Sequence, residues 1–337
     1  MLNKSKNNNI LQLSPNIKKI LYLYDLKGWA IYNVGKLWLN NLPNIETTFK
    51  DYKKLNRDDF SKYDLIWFGY LDLYFVYCIH NFFRIHDLDK CVIAVHDPLE
   101  LFPQIKNWKS EKINLKKWWT ISSWQRWVKL KLLKKAKYVV TCSEEMKSIL
   151  KKYGVKSYQI PTMSSLPLID KKEIITDKFD LCSVFDILPR KNIGLMKSLQ
   201  DYCTNNLKTK FDIKMGTKIL PLNDYIKLLD NHEIYVCTSF QEGGPLPAMD
   251  AMHRGSVVIT TPVGQMLEII KDGENGFICK EKKEFLEKII LLSGDLDLLH
   301  KMRIASRDCI IKKRNEEIIR QKVLIFLKYV LEMTSKK

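Results

Sequence analysis

No stretch of eighteen or more apolar residues occurs in the chain, so no segment is long enough to cross a bilayer as a helix. Histidines number only 6, and the 8 cysteines (Cys78, Cys91, Cys142, Cys182, Cys203, Cys237, Cys279, Cys309) lie far apart with no C-x-x-C pair. That argues against a zinc site or a disulfide framework, and for buried, reduced thiols in a cytosolic protein. The Asn/Lys-rich opening, residues 1–17, lacks the apolar core of a secretory signal and reads as a disordered leader. Internal repeats are absent, which excludes solenoids and propellers. Helix-turn-helix, zinc-finger, RRM and KH signatures are missing as well, so the main nucleic-acid modules find no support.

Positive charge is abundant. Lys and Arg total 56 against 38 acids, a formal net charge of +18, which suits an anionic partner such as a phosphorylated substrate or an anionic membrane face. The excess is uneven. Residues 106–137 hold eleven Lys or Arg, one acid (Glu111) and five of the 8 tryptophans (Trp108, Trp118, Trp119, Trp124, Trp127). Tryptophan favours the headgroup level and cations favour anionic lipid. This region is therefore expected to attach the protein reversibly to the inner face of the cytoplasmic membrane. Its part from Ile121 to Lys137 reads as one helix, with Ile121, Trp124, Trp127, Val128, Leu132 and Leu133 gathered loosely on one side.

A chain of 337 residues exceeds what one core usually serves and implies two α/β units of about 150 residues each. Buried-strand candidates follow one another at Ile20 to Tyr24, Asp64 to Gly69, Cys91 to His96 and Lys137 to Cys142, with helical patterns between them. That alternation predicts βαβ units on a parallel sheet. Ser143 before Glu144 and Glu145 reads as a helix N-cap. The polar stretch Thr162 to Lys172 reads as a hinge, and a strand over Leu181 to Phe185 opens a second half. The expected division is a domain over 18–165, a second over 166–315, and a final helix over 316–337. The stripe Ile318, Ile319, Val323, Leu324, Phe326, Leu327, Val330 and Leu331 on that helix must be buried.

The segment from Glu233 to Ile278 is the most specific in the chain. It predicts a strand over Ile234 to Cys237, a turn Glu242-Gly243-Gly244-Pro245, a helix from Leu246 to His253, and a strand over Val257 to Thr260 followed by Pro262-Val263-Gly264. Strand, glycine turn and helix in that order set backbone N–H groups and a helix N-terminus at a sheet edge, a place that suits phosphates. Glu242 stands at the turn, outside the core, and Asp250 follows inside the helix with seven residues between them.

This run resembles the donor half of the retaining group-1 nucleotide-sugar glycosyltransferases of the GT-B fold, whose signature is Glu, seven residues, Glu, within E-G-x-G-L-P-x-x-E-A-M. Here it reads Glu242-Gly243-Gly244-Pro245-Leu246-Pro247-Ala248-Met249-Asp250-Ala251-Met252, and the match continues through Gly264 to Gly276-Phe277. The second acid, Asp250, is one methylene shorter. The resemblance implies an α/β GT-B architecture of two Rossmann-like domains facing across a cleft, with the final helix over 316–337 packing back toward the first domain. It implies Glu242 on the transferred sugar, Asp250 on the nucleotide ribose, and the Gly243, Gly244, Pro245 and Leu246 turn near sugar and phosphate. Lys191, in Leu188-Pro189-Arg190-Lys191-Asn192, matches the family's diphosphate-binding Lys. The family's Gly-Arg pair falls on Phe185-Asp186, so Arg190 is expected to replace its charge. His96 matches a pocket-lining His and is grouped with Glu242 as catalytic; Gly28 after the first strand is a thin version of the family's glycine loop.

What the resemblance implies for chemistry is sugar transfer with retention, without a metal or cofactor. A nucleotide-diphosphate sugar serves as co-substrate, and a glycan or lipid-linked acceptor receives the sugar in cell-surface polysaccharide or lipopolysaccharide synthesis. Cations and amides then stabilise the departing diphosphate. Two other classes fit parts of the sequence: a non-catalytic GT-B partner protein, consistent with Asp250 and the lost Gly-Arg pair, and a nucleic-acid-binding protein, consistent with interleaved tryptophans and cations.

Overall fold

The computed structural model describes residues 17–28, 30–80, 88–101, 123–169, 178–216 and 220–334. Residues 1–16 of the expected leader, Trp29, and Trp108, Trp118, Trp119 and Ile121 of the basic region lie outside the described residues; Ile17, the last residue of that leader, is buried. The described residues up to Thr162, together with the last helix, form one compact unit, and Met163–Asn315 form a second.

In the first unit the order is β1 (Lys19–Tyr24), α1 (Ala30–Leu39), β2 (Glu46–Asp51), α2 (Asp59–Lys62), β3 (Leu65–Phe68), α3 (Leu71–His80), β4 (Cys91–Ala94), α4 (Ser123–Lys135), β5 (Tyr138–Thr141), α5 (Glu144–Lys152) and β6 (Tyr158–Gln159). The strands pair in parallel in the order β2-β1-β3-β4-β5-β6. Strands β3, β4 and β5 are buried at every position, as continuous apolar runs must be when helices cover both sheet faces. Helix α5 starts where its sequence says: Ser143 is extended, and its hydroxyl accepts from the Met146 N–H at 3.2 Å.

The second unit runs β7 (Leu181–Phe185), α6 (Ile193–Tyr202), β8 (Phe211–Met215), α7 (Leu222–Asp230), β9 (Ile234–Cys237), α8 (Leu246–His253), β10 (Val257–Thr260), α9 (Met266–Ile269), β11 (Gly276–Ile278), α10 (Lys282–Gly294) and α11 (Leu296–Lys313). Its five parallel strands lie in the order β11-β10-β9-β7-β8. The chain passes from β7 to β8 on one side, then returns to place β9 on the other. In open sheets of this kind the crevice at such a reversal is where ligands bind. The first sheet reverses in the same way between β1 and β3.

Two expectations need correction. The change of unit falls after Thr162, three residues before the expected boundary, because Leu166 is already packed among Leu229, Met249 and Met252 of the second core. Helix α4 does not gather its apolar residues on one side: Val128, Leu132 and Leu133 are buried in the first core, whereas Trp124 and Trp127 are 56% and 58% exposed. The inward face also holds Lys129, buried on Asp72 and on the carbonyl of Glu100. The tryptophans lie outside the buried stripe, and the Nζ of the exposed Lys131 lies 5.5 Å from the Trp127 ring centroid.

The final helix, α12 (Glu316–Thr334), belongs to the first unit although it follows the second in sequence. Ile319, Val323, Leu324, Phe326, Leu327 and Val330 are buried. The Phe326 ring meets Trp67 at 5.5 Å and Tyr158 at 5.4 Å, and the Tyr138 hydroxyl donates to the Val330 carbonyl at 3.3 Å. Phe326→Ala is therefore expected to destabilise by about 3–5 kcal/mol, the cost of a large aromatic cavity. Ile325→Ala, on the 58% exposed neighbour, is expected to change stability by no more than about 0.5 kcal/mol. Urea unfolding followed by tryptophan fluorescence measures both.

Candidate functional site

The site in the second unit is built from the loops that leave β7 and β9, the two strands flanking the reversal. After β7 the chain makes a 3-10 turn over Pro189–Lys191, then enters α6 through Asn192 in the left-handed region (φ 52°), whose side chain caps Leu195 N. Asn tolerates that conformation better than most residues, and the bend holds Arg190 and Lys191 at the end of the sheet. The two loops are stitched together: Phe240 N donates to the Arg190 carbonyl at 2.7 Å, and the Thr238 hydroxyl donates to the Lys191 carbonyl at 2.9 Å.

Between these loops sits Glu242. The sequence places it at a turn outside the core; the structure buries it, with only 5% exposed. One carboxylate oxygen accepts from Arg190 Nη1 at 2.7 Å, and the other from Lys191 Nζ at 2.6 Å and Ser239 Oγ at 2.8 Å. Burial pushes the acid up, but the Arg190 and Lys191 charges, with hydrogen bonds from Lys191 and Ser239, outweigh it and hold the carboxyl at about 2. Glu242 is thus ionised across the physiological range. A small crevice opens beside it, lined by Phe185, Lys191, Thr238, Glu242 and Pro245. Asp186 stands where the resembled family has Arg; its Oδ1 lies 3.6 Å from Lys191 Nζ, an ion pair too long to be a hydrogen bond. Arg190 thus brings its charge to the same carboxylate as Lys191.

The turn Gly243-Gly244-Pro245 leads into α8, with Leu246 as its first residue. Pro245 and Pro247 have no N–H, so of the expected turn only Gly243, Gly244 and Leu246 have an amide to offer. The turn rests on Gly264 (φ 45°): a β-carbon there would come within 2.2 Å of the Gly243 carbonyl oxygen, and Gln265 N donates to that same oxygen at 3.1 Å. Only glycine fits under this loop.

Asp250 lies one turn into α8 and has its own set of partners. Its Oδ2 accepts from the Tyr225 hydroxyl at 2.9 Å, and Ser164 supplies a second hydrogen bond. Burial raises its carboxyl to about 6, against the pull of both hydroxyls.

His96 and Gly28 belong to the first unit. Gly28 turns the chain after β1 in the left-handed region (φ 86°), and its carbonyl accepts from Asn33 Nδ2. His96 follows β4. Its Nε2 lies 2.8 Å from the Gly69 carbonyl, which can only accept, so Nε2 holds the hydrogen and Nδ1 is left as an acceptor. Burial lowers the ring to about 4, and His96 is neutral at pH 7. Its position is set by Glu100, whose carboxylate accepts from the backbone N–H groups of His96, Asp97 and Leu71 at 2.7, 3.0 and 2.8 Å.

Sequence reasoning missed Ser239, Ser164, Tyr225 and Glu100. Ser239, three residues before Glu242, and Glu100, four residues after His96, had local signals; Ser164 and Tyr225 act across the fold and had none. Two Asp-x-Asp triplets also occur, at Asp87-Leu88-Asp89 and Asp295-Leu296-Asp297. Asp295 is spent capping Leu298 N in α11, and among the described residues no group of three His, Cys, Asp or Glu is placed to hold a metal ion.

Residues 207–308 match the family model of group 1 glycosyl transferases. Over 105 residues the chain is 31% identical to the N,N'-diacetylbacillosaminyl-diphospho-undecaprenol alpha-1,3-N-acetylgalactosaminyltransferase of Campylobacter jejuni, a stretch that is 30% of this chain and 27% of that protein. Among solved structures, Anabaena HepE in complex with UDP and glucose is similar at TM-score 0.64 and 16% identity, covering 92% of this chain and 99% of that one. Sucrose-phosphate synthase from Thermosynechococcus elongatus is similar at TM-score 0.67 and 13% identity, covering 95% and 100%. S. aureus TarM gives a TM-score of 0.58 at 16% identity, with 78% of this chain spanning 55% of that one. The two parallel-sheet units thus have the fold of GT-B glycosyltransferase structures.

The charge states give a pH test. Asp250 has its carboxyl raised from 3.8 to about 6, so its contribution to stability is fully present below pH 3.8 and is lost as pH rises through about 6. The loss is about 3 kcal/mol. Asp250→Asn is expected to match the unmutated protein in stability near pH 4 and to exceed it increasingly up to pH 7, measured by urea unfolding across that range.

Proposed function

We propose that the protein is a glycosyltransferase that takes a sugar from a nucleoside diphosphate and passes it, with retention of anomeric configuration, to a glycan or lipid-linked acceptor. The observation that carries this reading is the buried, ionised Glu242 held by Arg190 and Lys191 at the sheet reversal. The matched family segment includes Glu242 and Asp250. Arg has five N–H donors and Lys three, so each cation can hold Glu242 and still donate to a diphosphate oxygen. Charge that develops on the leaving diphosphate is then met by groups already in place, which is the condition for electrostatic stabilisation of a transition state. Glu242, kept ionised, is the acceptor for the sugar's hydroxyls. His96, neutral with Nδ1 as acceptor, would line the sugar pocket through a hydrogen bond rather than a charge. On this reading the cations do the work of a metal ion, and the enzyme is metal-independent.

Thermal-shift measurements with UDP, GDP, ADP and CDP test the donor site. The nucleotide that fits should stabilise by about 2.7 kcal/mol at one hundred times its dissociation constant, and Lys191→Ala should abolish most of that gain. Glu242→Gln removes the buried carboxylate that the half-buried Arg190 and Lys191 share and is expected to cost about 3 kcal/mol in stability as well as transfer activity, so it is assayed below its own melting range. No stabilisation by any of the four nucleotides, or unchanged transfer by both variants, would overturn the assignment. A non-catalytic GT-B partner would bind nucleotide without releasing sugar.

The acceptor is read as membrane-borne, in cell-surface polysaccharide or lipopolysaccharide synthesis, with the protein held peripherally on the inner membrane face. Supporting this, α4 turns Trp124, Trp127, Lys131, Lys134 and Lys135 outward, a pairing of aromatic and cationic groups that suits an anionic headgroup layer. No helix among the described residues is long and apolar enough to cross a membrane. Co-sedimentation with vesicles is expected to require anionic lipid, to weaken with salt, and to fall when Trp124 and Trp127, or Trp118 and Trp119, are changed to Ala. Equal binding to neutral and anionic vesicles would remove the proposal.

A further inference from the structure

Asp250 is shorter than the glutamate that the resembled signature places there, and the structure shows what surrounds it. Three elements converge on its carboxylate: α8, which holds it; α7, which sends the Tyr225 hydroxyl to Oδ2 at 2.9 Å; and the segment just past the change of unit, which supplies Ser164. Arg254, the residue that closes α8, is committed to Asp230 at 2.6 and 2.7 Å. A carboxylate has about four acceptor positions; two are taken by the hydroxyls and two remain.

We propose that Tyr225 is a positioning residue of the donor site: its hydroxyl fixes the rotamer of Asp250, so that the remaining acceptor positions meet the vicinal hydroxyls of the donor's ribose and select ribonucleotides over deoxynucleotides. This rests on the donor-site reading above. A helix side chain left to itself samples several rotamers, and a ligand would have to supply the cost of ordering it. A phenol from the facing helix removes that cost in advance. Burial and the Asp250 charge hold the Tyr225 phenol well above its usual range, so it stays a donor at any working pH. The pair also costs stability at neutral pH, since the Asp250 carboxyl is raised, and a costly buried acid is more readily explained by binding than by folding. The Tyr225 ring itself packs on the second core, so Tyr225→Phe deletes the hydroxyl and keeps the packing.

Calorimetric titration with UDP, GDP, ADP and CDP, each beside its 2′,3′-dideoxy counterpart, tests this. The unmutated protein is expected to favour the ribo form of its nucleotide by about tenfold or more, a charged hydrogen bond's worth. Tyr225→Phe should weaken the ribo form about tenfold and leave the dideoxy form unchanged, which also shows that the variant is folded. Asp250→Asn should erase the same preference. If Tyr225→Phe weakens both forms equally, or keeps the full preference, Tyr225 is a packing residue and the inference fails while the donor site stands. If none of the four nucleotides binds the unmutated protein, the donor-site reading fails and this inference with it.

Discussion

The charge group of buried Glu242 with half-buried Arg190 and Lys191 constrains everything around it. A lone carboxylate buried to this degree would be driven toward its neutral form; here two cations and a serine keep it ionised. Buried ion pairs are weak sources of stability, because desolvation consumes most of the Coulomb gain. Their presence at a sheet reversal is better explained by what they do to a ligand than by what they do for the fold. The geometry follows from that requirement. Arg190 and Lys191 must stand together, so the chain bends through a left-handed Asn192. Glu242 must reach between them, so the loops after β7 and β9 are tied backbone to backbone.

The packing beneath the site serves the same end. Gly264 lets the Pro-Val-Gly turn come against the Gly243 carbonyl, and the buried residues of α8 (Ala248, Met249, Ala251, Met252) fix the helix on β9 and β10. In the first unit a comparable arrangement has different chemistry: the Glu100 carboxylate gathers three backbone N–H groups and so fixes the loop that holds His96. That ring is neutral and can accept a hydrogen bond. The second unit thus gathers charged groups at its sheet reversal, and the first holds an uncharged ring.

Local signals determined much of this protein. Strands β9 and β10 and helix α8 stand where apolar runs, glycine and proline placed them, because strand burial and helix interruption are decided within a few residues. The serine cap at Ser143 and the apolar stripe of α12 were legible for the same reason. Lys191 and Glu242 were assigned to one donor site only through resemblance, since fifty residues lie between them. Side-chain partners were not legible. The sequence could not show that Glu242 is buried rather than at an open turn, that Tyr225 closes on Asp250, or that the tryptophans of α4 face away from Val128, Leu132 and Leu133. Each of those depends on which helix lies opposite, and that is set by the order of strands in the sheet. Chain-local periodicity chose the elements; the tertiary fold alone decided which charges meet, because burial and pairing arise only when distant loops share one sheet edge.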